Sequence, residues 1–493
     1  MPRRPLRSLL AATALGGLAL TTLAVLPAGA GAPSAPTTRA AAAAPVSLWA
    51  PPRQTVHGYR GKVWTDLGLR LVAEGEPFEV WATRSAYDQP VRAVWRSESR
   101  GDVVLPRGAM RRLGSLKGFV SLTFKRKGAD PVRMSAHACF GGTTERVRPD
   151  AAATSSYPRT CAYNPYSLGA VQGVQDGWAS TILGYDRPLR LGAGRYTMVA
   201  RIAAPYARPM GLSRAEATRR TRLVVKDEAG PEGRRPASPA PRVSGPGARP
   251  AAAPPSGPAA APPDGPVPDL RSLPAWGIGM ARSGNFLRFS ATVWNAGDSP
   301  LVVDGFRKEG EDEMEAYQYF FDAEGEQTGY QEVGHMHWDK KPSHQHWHFK
   351  DFATYTLLRA DKTQVVRSRK EAFCLANTDA VDLTVPAADW DVENDDLETA
   401  CGDYSSLSIR EVLAAGWGDT YEQFRAGQSF DLRGLPNGKY WIAVVANPRN
   451  RLVESDTGNN VALRKIRLRG KPGARRVVVP KIGVIKEPGR RGR

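Results

Sequence analysis

The chain has 493 residues, of which 24% are charged, with 68 Lys and Arg against 49 Asp and Glu and a formal net charge of +19. That length exceeds one ordinary hydrophobic core and suits two folded bodies with connecting segments. The positive excess is not accompanied by any nucleic-acid-binding motif, so no nucleic-acid partner is expected.

Residues 1–32 have the form of an export signal: Arg3, Arg4 and Arg7 precede an apolar run from Leu9 to Val25, and Ala28-Gly29-Ala30 offers a small-x-small cleavage site. The run is weakly apolar, which favours a cleaved signal peptide over a retained membrane anchor. The Arg3-Arg4 pair also hints at a twin-arginine route. Residues 45–227 follow as an expected N-terminal β-sandwich of accessory role, because "LGLRLVAEGEPFEVWATRS", "GFVSLTFKRKG", "GRYTMVARIAAP" and "RTRLVVKDE" alternate apolar and polar residues between Gly, Pro and Asp turns. Only "LSRAEATRRTR" suggests a short helical turn there.

Residues 228–267 are dominated by Pro, Ala and Gly and read as an extended, semi-rigid linker. Residues 268–470 are strand-rich again, with a short helix expected at 406–414. The predicted fold is therefore all-β, two tandem β-sandwich-like domains joined by the Pro/Ala-rich linker. The tail 471–493 is strongly basic; it suits either a solvated tail or attachment to an anionic cell-wall polymer, which would add cell-surface association to secretion.

The four cysteines stand two in each half, and export implies an oxidising compartment. The expected disulfides are Cys139–Cys161 and Cys374–Cys401. Metal thiolates are disfavoured because no CxxC spacing occurs and none of the four abuts the histidines.

Five of the seven histidines fall within residues 335–348, in "GHMHWDKKPSHQHWH". His344, His346 and His348 alternate, so on a strand their imidazoles share one face about 6–7 Å apart. Imidazole suits Cu, Zn, Fe and Ni alike, and the pattern by itself says metal without choosing one.

"SHQHWHFKDFATYTLL", "RKEAFCL", "GDTYEQFRAGQSFDL" and "GKYWIAVVANPRNRLVESDTGNN", in that order, resemble the catalytic domain of the lysyl oxidases over roughly residues 268–470. The resemblance implies copper held by His344, His346 and His348, with His337 a further candidate. It also implies a lysine tyrosylquinone made from Lys370 and Tyr421, and Asp419 is the carboxylate best placed to take the substrate α-proton. No unmodified side chain accepts two electrons from an amine, which is the physical reason for such a cofactor. The implied reaction converts a primary amine, free or in a lysine-containing protein, and dioxygen to an aldehyde, ammonia and hydrogen peroxide. A calcium site is implied at Asp269, Leu270, Glu454, Asp456, Asn459 and Asn460, whose oxygens are the hard donors calcium takes. Relative to animal members, this sequence has fewer cysteines and an acidic insertion, "ADWDVENDDLETACGDY", that could attract cationic amines. Two rivals remain. One is a non-catalytic metal-binding or adhesion protein; the other is a zinc hydrolase, disfavoured because no HExxH-type base accompanies the histidines.

Overall fold

Alternating inward apolar and outward polar side chains build the strands of this protein, as Val461–Arg469 illustrates: Ala462, Ile466 and Leu468 point into the core and Val461, Arg467 and Arg469 into solvent. The computed structural model describes residues 45–110, 112–184, 188–227, 265–307, 312–322, 324–340, 346–368, 372–392, 401–422 and 428–487. The export signal, most of the linker, His344, Lys370 and the last residues of the tail lie outside them. The described residues are nearly all strand and turn, with Ala204–Ala207 the sole α-helix among them, so the fold is all-β.

In the first half, a seven-stranded sheet runs in the order Leu189–Arg190, Lys62–Val63, Arg53–Tyr59, Thr218–Asp227, Gly194–Ile202, Leu116–Lys125, Val132–Ala138. Arg53–Tyr59 and Thr218–Asp227 are parallel, and the other neighbours are antiparallel. Its inward side chains, among them Val56, Leu122, Phe124, Met198 and Leu223, share one core with Leu48 and Leu71 from one four-stranded sheet, Phe78 and Trp95 from the other, and Phe140 from a bend between strands. The disulfide Cys139–Cys161 lies in this half.

In the second half, a six-stranded sheet is ordered Ala372–Phe373, Trp347–Lys350, Gln327–Trp338, Glu313–Phe321, Leu301–Arg307, Ser408–Leu413. A second sheet brings together Leu270–Ser272, Phe286–Asn295, Trp417–Tyr421 and Asp379–Ala380, and a third includes Ala353–Arg359, Gly438–Ala446 and Val461–Arg469. Their inner faces bury one large cluster that includes Phe289, Trp347, Phe349, Tyr355, Phe373 and Phe430.

The two halves pack directly on each other. Tyr157 and Val171 from the first half belong to the second half's core, and Tyr166 packs with Leu273, Trp276 and Trp294. Gly169 bridges to Asp382, and a Cβ there would fall 2.0 Å from the Asp382 carboxylate, so only glycine permits the approach. Asn164 crosses the junction through its side-chain amide, which donates to Thr292 Oγ1 and Asp379 Oδ2, both at 2.9 Å.

One local expectation is corrected. The segment 406–414 is not helical: Ser408–Leu413 is an edge strand paired with Leu301–Arg307, which buries Ile409, Glu411 and Leu413 on one face. A two-residue period outweighs helix propensity where a sheet edge waits to be paired. The short turn expected in "LSRAEATRRTR" is present: Ala217 N donates to Ser213 O at 3.0 Å just before the strand Thr218–Asp227, and the short helix Ala204–Ala207 lies upstream of it.

Asp379 is fully buried, and burial pushes its carboxyl up to about 6 despite hydrogen bonds from Thr420 and Asn164. A carboxyl whose folded value is raised costs stability once it ionises, so folding should weaken as pH rises from about 4 to about 6. Replacing Asp379 with Asn should flatten that dependence and recover about 3 kcal/mol above pH 7. Denaturation midpoints across pH 4 to 8 check this; an unchanged pH slope would contradict it.

Candidate functional site

The histidine-rich segment crosses two neighbouring strands. Trp347–Lys350 pairs antiparallel with Gln327–Trp338 such that His348 lies directly opposite His337. Their ring centroids are 6.0 Å apart, and those of His346 and His348 are 4.5 Å apart. With metal–nitrogen bonds of about 2 Å, two imidazoles on one ion place their centroids roughly 5 Å apart, so these three rings suit one metal. His348 is buried, and its Nδ1 is 3.7 Å from Asp339 Oδ2. His335, two residues before His337 on the same strand, has a buried Nδ1 with no hydrogen-bond partner among the described residues. The donor set is imidazole-rich and flanked by a carboxylate, which fits copper or another borderline ion.

Tyr421 ends the strand Trp417–Tyr421, which lies against Phe286–Asn295 in the register Ala291 to Tyr421. Gly418 permits that close packing, because a Cβ there would sit 2.8 Å from both Thr292 and Val381 side chains. The Tyr421 hydroxyl is gripped by one residue's backbone: it accepts from Cys374 N at 3.0 Å and donates to Cys374 O at 3.1 Å. Phe373 packs edge-on against its ring at 5.0 Å. A chain separation of 47 residues is thereby closed to hydrogen-bonding distance.

The same residue reaches the histidine strand by two routes. Phe349 and Lys350 pair with Phe373 and Ala372 in the sheet. Cys374 is joined to Cys401 by a disulfide, and the Cys401 carbonyl accepts from Trp347 N, between His346 and His348, at 2.7 Å. The sulfurs of Cys374 and Cys401 and a Glu411 oxygen lie within 4.8 Å of one another, but sulfurs spent in a disulfide are not thiolate ligands, so this trio is no metal centre.

Asp419 shares the Tyr421 face of its strand and is buried. Two companions beyond the residues expected at the site complete the surroundings: Tyr355, within the "SHQHWHFKDFATYTLL" string, and Glu411, which lies in none of the family-like strings. Burial drives the Tyr355 and Tyr421 hydroxyls far above the ordinary phenol range, and the Asp419 charge adds to both. Burial likewise raises the Glu411 carboxyl well above the carboxylate range, although Leu375 N donates to its Oε2 at 2.9 Å. Tyr421 is thus held as a neutral phenol among acids. Glu411 was discoverable in principle, since Ile409-x-Glu411-x-Leu413 sets a carboxylate in a core-facing position, but only once 408–413 is read as a strand.

On the reverse face, Thr420 donates to Asp379 Oδ1 at 2.5 Å and lies 2.7 Å from Thr292 Oγ1 through its own hydroxyl, and Asn164 completes the network. The first half of the chain therefore braces the strand that carries Tyr421, a role that no local pattern announces.

The oxygen-rich clip at the start of the second half is assembled as well. Leu270 N donates to Glu454 Oε2 at 2.9 Å, and Asn459 Nδ2 donates to Asp269 Oδ1 at 2.8 Å and Asp456 Oδ2 at 3.0 Å. Asn460 Nδ2 and Asn447 Nδ2 both donate to Glu454 Oε1. The Oδ1 atoms of Asn459 and Asn460 are buried with no hydrogen-bond partner among the described residues. Three carboxylates and two amide oxygens in one knot fit a hard cation such as calcium.

Compared with known proteins, residues 317–478 match the lysyl oxidase family model. The chain is 30% identical over 129 residues to lysyl oxidase homolog 2 of Gallus gallus, covering 26% of this chain and 15% of that protein. It is 30% identical over 146 residues to lysyl oxidase homolog 4 of Mus musculus, covering 29% and 17% respectively. Lysyl oxidase homolog 2 of Homo sapiens is 28% identical over 129 residues, 26% of this chain and 15% of that protein. The chain thus spans less than a fifth of the length of these relatives.

Glu411→Gln keeps an acceptor for Leu375 N while removing a buried ionisable group. Because the folded value is raised, the variant should gain stability that grows as pH rises above the ordinary carboxylate range, by about 1–3 kcal/mol. Urea denaturation at pH 5 and pH 8 tests it; equal stability at both would refute the burial argument.

Proposed function

Because this chain belongs, through residues 317–478, to the lysyl oxidase family, we propose that it is a secreted copper-dependent amine oxidase whose organic cofactor forms from Lys370 and Tyr421. The observation that carries the reading is the grip of the Cys374 backbone on the Tyr421 hydroxyl, which brings the tyrosine to a residue only four positions beyond Lys370. The histidine strand pairs with Ala372–Phe373 at the same point, so metal ligands and cofactor precursors converge on one stretch of chain.

In this reading His344, His346 and His348 hold the copper, with His337 across the strand pair as a further ligand. When bound, copper and the tyrosine-derived quinone supply the electron acceptor for amine oxidation. The chain's own residues do the rest. The Cys374 backbone fixes the phenol oxygen, Phe373 fixes the ring plane, and burial holds the hydroxyl above the ordinary phenol range. Asp419, on the ring's own face of the strand and shielded from bulk water, is positioned to accept the proton from the carbon bearing the substrate amine. Substrates are primary amines, either small or in lysine side chains of a protein, with dioxygen as oxidant. The clip at Asp269, Leu270, Glu454, Asp456, Asn459 and Asn460 binds calcium and fastens the first strand of the domain to its last hairpin.

Peptide mapping of copper-loaded protein should find Lys370 and Tyr421 in one cross-linked species with quinone absorbance. Two separate peptides at full copper occupancy would sink the oxidase reading and leave the metal-binding or adhesion alternative. Tyr421→Phe should retain copper while amine-dependent peroxide release falls to the assay background, and His348→Ala should lose both. Calcium removal by a chelator should lower the unfolding free energy by about 3 kcal/mol relative to saturation at a hundred times the dissociation constant. Glu454→Gln should abolish that difference; a chelator-insensitive thermal midpoint for the native sequence would exclude the calcium clip.

A further inference from the structure

The seven strands of the large sheet in the first half contain twelve lysines and arginines and one acid, Asp227, whereas the whole chain has 68 basic and 49 acidic residues. Asp227 closes its strand in phase with the inward residues Leu223 and Val225. It is exposed at the strand end, and the remaining outward positions carry no acid.

The register arranges these cations in rows. Arg53 lies directly beside Arg222, which faces Thr197 and then Lys125 on the next two strands. One step along, Arg220 faces Val199, then Thr123, then Arg133. Arg195 and Arg201 flank these rows on the strand Gly194–Ile202, and Lys226 continues the line from Arg222. Neighbouring strands are about 4.8 Å apart and alternate residues along a strand about 6.7 Å apart, so adjacent charges lie well within a Debye length. Arg53, Arg220, Arg222, Lys125 and Arg133 are exposed and enter no ion pair among the described residues. Like charges placed directly across a strand pair are destabilising. The register holds two such pairs, Arg53–Arg222 and Lys62–Arg190; a face that keeps this cost, with no acid interleaved in its rows, is complementary to a polyanion.

Its remaining chemistry narrows the partner. Between the cations stand Thr55, Ser121, Thr123, Ser135 and Thr197, hydroxyls that donate to oxyanions. Arginine outnumbers lysine in these rows, and the guanidinium fork matches phosphate bidentately. The outward rings of Arg53–Tyr59 are His57, paired with Lys226, and Tyr59 at the margin, while the outward positions of Leu116–Lys125, Gly194–Ile202 and Thr218–Asp227 carry no Phe, Tyr or Trp, so the rows offer no continuous platform for stacking successive bases. The outward apolar residues Val199 and Val224 are half-buried in the sheet and offer no wedge for a lipid bilayer.

We propose that this face is a docking surface for a linear phosphodiester-linked polyol polymer, which would hold the protein on an anionic matrix. This surface is independent of the oxidase reading and gives the first half of the chain a binding task beside its bracing of the Tyr421 strand.

The test uses the full chain and poly(glycerol phosphate), with duplex DNA and phosphatidylglycerol vesicles as competitors. The native sequence should bind the polymer with an affinity that falls with salt. The triple variant Arg53→Gln, Arg220→Gln, Arg222→Gln should bind at least tenfold more weakly, with a salt slope shallower by about 0.7 for each phosphate it no longer neutralises. Its thermal midpoint should stay level or rise, because repulsion is relieved, and any amine-dependent peroxide release should be unchanged. A merely structural role for these arginines would lower the midpoint instead. Equal binding by native and triple variants would overturn the proposal, as would loss of binding only on substituting Lys471, Arg476 and Lys481 in the tail. Preferential binding of DNA or vesicles over the polymer would overturn the choice of partner.

Discussion

One residue's backbone holds the candidate site together. The N–H and carbonyl of Cys374 take the two ends of the Tyr421 hydroxyl dipole, its side chain is tied to Cys401, and the Cys401 carbonyl takes the N–H between His346 and His348. Hydrogen bonds in a site shielded from water are directional and costly to leave unmade. The tyrosine and the histidine strand are therefore positioned by the same rigid junction instead of by separate loops.

The electrostatics around Tyr421 are unusual for a core. Asp419, Glu411 and Tyr355 share its buried face, and Asp379 lies behind the strand, so four groups with acidic protons surround one stretch of chain. Burying a carboxyl group costs folding free energy, because its ionised form loses hydration that hydrogen bonds replace only in part. The same burial raises the Tyr421 hydroxyl above the ordinary phenol range. Asn164, from the other half of the chain, offsets part of that cost on the reverse face through its hydrogen bond to Asp379. The first half is thus structurally continuous with the site, while its own outer sheet presents a basic face.

How much of this is legible in the sequence depends on the range of the signal. Strand alternation marks the all-β class, because inward and outward residues two apart leave a trace in any window of eight. The pairings Cys139–Cys161 and Cys374–Cys401 follow from counting cysteines in each half, and both bonds are present. The helix expected at 406–414 shows the limit: "LSIREVLAA" has good helix formers, and only the edge of Leu301–Arg307 makes it a strand. With that period misread, Glu411 passes for a surface residue. The basic sheet is equally hidden, since its arginines and lysines are scattered from residue 53 to residue 226 and become rows only when the register is known.

By itself the sequence determined the composition of the strands, the Pro/Ala-rich break after residue 227, the crowding of histidines at 335–348 and the motifs that mark the lysyl oxidase family. Those are local patterns, set by side-chain periodicity and residue chemistry over a few neighbouring positions. Only the tertiary structure decided that His337 faces His348, that Tyr421 rests on Cys374, that Glu411 and Asp419 share one buried pocket, and that Asn164 closes it from behind. Each of those is a pairing between strands distant in the chain, fixed by sheet register and core packing, and no local propensity encodes which strand a given strand will meet.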